Sequence, residues 1–170
     1  MGLDRLRAAY HWYTVSLRVA AMALTYIAAA AVCVMMSATC IDVVMRTFGS
    51  PLPGALDVVT LAGAVAMSCA LPYTTAVKGH VSIEYFFHKL SRRGRIAIDT
   101  FSRLLGAGLF FLLTRQCAVY GHSLHESGQV TPTLQVPVFW TLYVLSFSCA
   151  LVALIIIHNM LHPNREMIKP

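Results

Sequence analysis

Long charge-free runs set the rhythm of this chain. One extends from Val19 to Ile41 between Arg18 and Asp42, and a second from Val58 to Val77 between Asp57 and Lys78. A third, Val136 to Ile157, lies within an uncharged region that reaches from Ser127 to Asn164. Each is long enough to cross a hydrocarbon layer about 30 Å thick, which takes roughly 20 helical residues. A weaker run lies around Ile96–Tyr120, where the uncharged centre is only Leu104–Thr114, flanked by Arg103 and Arg115. Both arginines are placed to snorkel toward headgroups, and Asp99 stands one turn before Arg103 as an i,i+4 partner. The pattern predicts an all-α membrane protein, one membrane domain over residues 1–170, with four transmembrane helices at about 19–41, 58–77, 96–120 and 136–157. The first run is too long for a signal-peptide core and is expected to be a retained span.

Between the second and third spans the spacing changes. Ile83, Phe86, Phe87 and Leu90 fall at i, i+3, i+4 and i+7, with Ser82, Glu84, His88 and Lys89 off that stripe. This predicts an interfacial amphipathic helix at about 81–90, lying in the membrane plane, followed by basic residues suited to anionic phospholipid. A cytoplasmic extension of the second span is the alternative. Lys89, Arg92, Arg93 and Arg95, with Arg103, Arg115 and Trp140, are the expected lipid and interfacial anchors. The remaining connections read as turns: Arg46–Gly54 is dense in Gly and Pro, and Gly128–Pro137 is polar with two prolines. Asp42 and Arg46 have i,i+4 spacing, and Pro72 predicts a kink within the second span.

Composition supports the membrane reading: 58% of the 170 residues are hydrophobic and 12% charged, which excludes an ordinary soluble domain, a disordered chain and a disulfide framework. The net charge of +6 is explained by topology. All but two of the thirteen Lys and Arg residues fall in the N-terminal segment, the central loop with its margins, or the tail; Arg46 and Arg115 are the exceptions. The positive-inside rule then places both termini in the cytoplasm, with no nucleic-acid partner needed.

Candidate chemistry is sparse. The five cysteines show no C-x-x-C spacing and read as buried thiols. His122 with His125 and His158 with His162 have spacings that could ligate a metal, yet the topology puts the two pairs at opposite membrane faces. A four-helix haem or electron-carrier protein built on those pairs is the alternative function; otherwise no catalytic, cofactor or metal site is expected. The first, second and fourth spans carry no ionisable residue at their centres, and paired helix breaks in two related halves are missing, so a solute pathway is not expected. Ala62, Ala66 and Ala70 form a small-residue stripe, and Gly106 and Gly108 allow close helix approach.

Several segments together resemble the small membrane (Q) subunit of tripartite ATP-independent periplasmic (TRAP) transporters over roughly residues 15–160. They are Asp42-Val43-Val44-Met45-Arg46 and Pro51-Leu52-Pro53-Gly54 with the acid Asp57, then Gly79-His80-Val81-Ser82-Ile83-Glu84, then Thr131-Pro132 through Val136-Pro137-Val138-Phe139-Trp140. The chain departs from that family in lacking a second acid beside Asp57 and a Trp in the second span. The resemblance implies a non-catalytic scaffold in the bacterial inner membrane. Its implied partners are a large membrane (M) subunit, which carries the solute and sodium sites, and a soluble periplasmic binding protein (P subunit) that captures an organic acid of carboxylate or sialic acid type. On that basis Arg46, Asp57 and Glu126 are candidate docking residues on the periplasmic side.

Overall fold

The computed structural model describes residues 2–77 and 92–161. Four helices account for nearly all of them: α1 (Gly2–Thr47), α2 (Ala55–Ala76), α3 (Arg92–Glu126) and α4 (Phe139–Leu161). No strand occurs among the described residues, only an isolated bridge between Val130 and Pro137. All four helices are long and apolar enough to span a membrane, and the chain is a multi-pass membrane protein. The stretch 81–90, with Lys89, lies outside the described residues. Arg92, Arg93 and Arg95 fall in the opening turn of α3.

The helices pack in the order α1–α2–α4–α3, with a slighter contact between α1 and α4. The central pair, α2 and α4, have 39% and 44% of their most apolar window buried, whereas flanking α1 and α3 have 17% and 6%. Small and branched residues make the central seam. Leu17, Leu24 and Ala28 of α1 meet Cys69 of α2 and Leu151 of α4, and Ile155 packs with Ala76. Ala66 is buried and Ala70 packs against this cluster, so the small-residue stripe of α2 is used at least partly within the chain.

Helix lengths divide in the same way. At about 1.5 Å per residue the 22 residues of α2 and 23 of α4 give roughly 33–35 Å, matched to the hydrocarbon thickness. The 46 residues of α1 and 35 of α3 exceed it. Aspartate and arginine end the charge-free run of α1 without ending the helix, because i→i+4 backbone bonding continues wherever the side chains can reach water. The helix that carries the third span runs on past Tyr120 to Glu126. Pro72 is accommodated inside α2, almost fully buried.

Candidate functional site: the turn end

Two described connections, 48–54 and 127–138, lie at one end of the helices, here the turn end; the start of α1, the end of α2, the start of α3 and the end of α4 lie at the other. Each connection is tied down by an aspartate. In the first, Asp42 Oδ2 accepts from Arg46 Nε at 2.8 Å, and its Oδ1 accepts from the Leu52 backbone N–H at 3.0 Å. The one side chain thus braces the last turn of α1 and the loop that leaves it. Arg46 keeps its side chain 65% exposed. Between these residues and Ala55, Leu56 and Val59 of α2 lies an open groove of about 210 Å³.

In the second connection the geometry is tighter. Asp57 is only 5% exposed, and its Oδ2 accepts from the backbone N–H groups of Thr133 (2.9 Å) and Leu134 (2.8 Å). Its place in the first turn of α2 also suits a negative charge, since the N-terminal amides there are unpaired. The captured loop is itself closed: Thr131 N donates to Val136 O at 2.9 Å, Val136 N to Thr131 Oγ1 at 3.1 Å, and Val138 N to Gln129 O at 3.3 Å. Gln135 takes a positive φ of 53° to complete the bend. Gly54 makes the clasp possible. It has φ +80°, and a Cβ placed there would come within 2.6 Å of Leu134 Cγ. Only glycine tolerates both the backbone conformation and the approach.

The sequence-derived site residues thus separate. Arg46 and Glu126 are exposed, Glu126 standing 3.8 Å from His122 on the same exposed face. Asp57 is turned inward and occupied by the loop. His122 and His125 sit at the turn end, with His125 edge-on to Phe139 at 4.6 Å, while buried His158 lies at the other end with its ring 6.0 Å from that of Tyr13. His162 lies outside the described residues; the pair His122 and His125 and the single His158 stand at opposite ends of the helices, and no group of three or more metal-ligating side chains occurs among the described residues. Trp140 is half-buried in the first turn of α4.

The family model for tripartite ATP-independent periplasmic transporters, DctQ component, matches residues 35–166, well over half of the chain. This chain belongs to the DctQ family. No curated protein and no solved structure matches it. Membership makes it one component of a tripartite transporter, associating with the other components. The match begins in the last third of α1 and takes in both aspartate-braced connections, so the turn end as a whole belongs to the DctQ portion.

The residues missed from sequence are those that hold the clasp. Thr133 and Leu134 act through backbone amides and Gly54 through the lack of a side chain. The Pro-Leu-Pro-Gly turn signalled a bend at Gly54, but its approach to Leu134 follows only from the packing of α2 beside α4. Gly121 was likewise missed; its Cα lies where an added Cβ would meet Leu142 at 3.4 Å.

Proposed function

We propose that this chain is the small, non-catalytic subunit of a sodium-coupled TRAP transporter for an organic acid of carboxylate or sialic acid type. It supports the large membrane subunit in the bacterial inner membrane, with both termini cytoplasmic. The observation that carries this reading is the DctQ match over residues 35–166. On this reading the turn end faces the periplasm and docks the soluble binding protein. Arg46 and Glu126 offer exposed charge to that partner. Asp57 serves differently: it fastens the 127–138 loop and so fixes the shape that the partner meets. At the cytoplasmic side, Lys89 with Arg92, Arg93 and Arg95 holds the in-plane helix at about 81–90 to anionic lipid, and Arg103 anchors the start of the third span.

The test is co-purification of the tagged chain with the large subunit, followed by solute uptake at limiting binding protein. Arg46→Ala and Glu126→Ala are expected to raise the binding-protein concentration needed for half-maximal uptake, with the complex intact. Uptake unchanged in both variants overturns the docking assignment, and failure to recover the large subunit overturns the subunit assignment itself.

A further inference from the structure

The packing of α3 on α4 fixes the height of every α3 residue in the membrane. Arg103 Nη1 donates to the Asn159 carbonyl oxygen at 2.9 Å, and Gly106 lies against Ile156. Further along, Ser146 Oγ donates to the Thr114 carbonyl oxygen at 2.9 Å, and Gly121 lies against Leu142 and Tyr143. These pairs run in steady antiparallel register and set Arg115 level with Phe147. Phe147 is eight residues into the spanning stretch Phe139–Met160, roughly 12 Å from its turn end and within about a helical turn of its midpoint. Arg115 is therefore a cation near mid-membrane, whereas Arg103 sits at the helix end.

Its direction compounds the problem. Helical side chains lean toward the N-terminus of their own helix. For Arg103, near the N-terminal end of the third span, that lean leads out to the headgroups. For Arg115 it leads away from the nearer headgroups and toward the far side of the bilayer. Arg115 is exposed, and among the described residues no hydrogen-bond or ion-pair partner accompanies it. Phe111 (66% exposed), Leu112 (63%) and Val119 (55%) share its face, and Gly108, two turns below, has open space where a side chain would be. This is a flanking helix with a lone buried-depth cation, an apolar surround and a notch. An intramembrane charge of this kind calls for an opposite charge on a neighbouring helix.

We propose that the outward face of α3, centred on Arg115, is the surface that meets the large membrane subunit, and that an acidic side chain on a transmembrane helix of that subunit pairs with Arg115. Charge complementarity selects this occupant over lipid, whose acyl chains supply no anion at that depth. Gly108 lets the partner backbone approach where the arginine leans. The proposal rests on the reading of the chain as a transporter subunit.

The experiment co-expresses the full chain with the large subunit. Arg115→Leu is expected to leave insertion and yield of the isolated chain undiminished while lowering recovery of the complex at least about tenfold, with Arg115→Lys retaining most of it. A photo-crosslinking residue at Leu112 or Val119 is expected to capture the large subunit, and one at Tyr26, 78% exposed on α1, is not. Wild-type recovery for Arg115→Leu, or adducts at Leu112 and Val119 to phospholipid alone, overturns the proposal and makes Arg115 a lipid anchor. Capture from Tyr26 with none from α3 assigns the interface to the opposite edge. If the wild-type chain itself recovers no large subunit, the subunit reading falls and this interface with it.

Discussion

Asp57 and Arg115 are both charges beside apolar helices, and their surroundings give them opposite roles. Asp57 has two backbone N–H donors at 2.8 and 2.9 Å, so it is consumed within the chain. Replacing it with Ala leaves the Thr133 and Leu134 amides without their acceptor. Hydrogen exchange at those two amides is expected to speed up by roughly tenfold or more, with the helices protected as before. Gly54→Ala is expected to cost about 1 kcal/mol or more through its positive φ and the Leu134 contact, lowering the melting temperature in detergent by at least about 2 °C. Truncating Leu134 to Ala in the same chain relieves the contact but not the backbone strain, so recovery is partial. Arg115 has the reverse signature. An arginine near the middle of a span costs about 2.5–3.5 kcal/mol on insertion scales, so Arg115→Leu is expected to raise the efficiency with which the third span inserts, measured in a membrane-insertion assay. Sequence spacing showed that Asp57 is an acid beside a turn and that Arg115 bounds an apolar stretch. It did not show that Asp57 reaches amides 76 and 77 positions away, or that α3 packs on α4 so that Arg115 stands well inside the apolar length of α4. Both depend on which helices pack together.

At the scale of elements, charge-free runs marked three of the four spans, because a bilayer disfavours charge where a helix crosses it; the third span had only the short run Leu104–Thr114 to mark it, since Arg103 and Arg115 lie within it. The runs located helix ends poorly, since a helix leaving the membrane meets water and continues. Thus α1 extends well beyond Val19–Ile41 at both ends, and α3 continues through Arg115 to Glu126. The α3–α4 seam rests on Gly106, Gly121 and the Ser146 hydroxyl, which let the helices close. Gly121→Leu is expected to force α3 off α4, because Leu142, the Tyr143 ring and the Phe139 carbonyl all stand within 4 Å of the added carbon. Melting in detergent should show a loss of several degrees, whereas Ser146→Ala should cost only about 0.6 kcal/mol, the average for hydrogen bonds between membrane helices. Gly108→Leu should leave the isolated chain unchanged, because nothing lies within 4 Å of that site.

For the molecule as a whole, the α1–α2–α4–α3 arrangement is a broad helical layer with two thinly covered flanks, which suits a supporting subunit. Composition made the membrane class legible, and charge asymmetry supplies the orientation that the proposed function assumes. The layered arrangement was not, because four apolar helices of this kind can also close into a bundle. Topology reporters fused at residue 50 or 130 are expected to report the periplasm, and a reporter at the C-terminus the cytoplasm. The most direct test of the account is solute uptake into proteoliposomes under a sodium gradient, with components omitted one at a time. This chain alone should give no uptake, and the large subunit with this chain and the binding protein should give full uptake. Omitting this chain should reduce uptake to a small fraction of that level. Uptake by this chain alone, or uptake undiminished without it, would contradict the account.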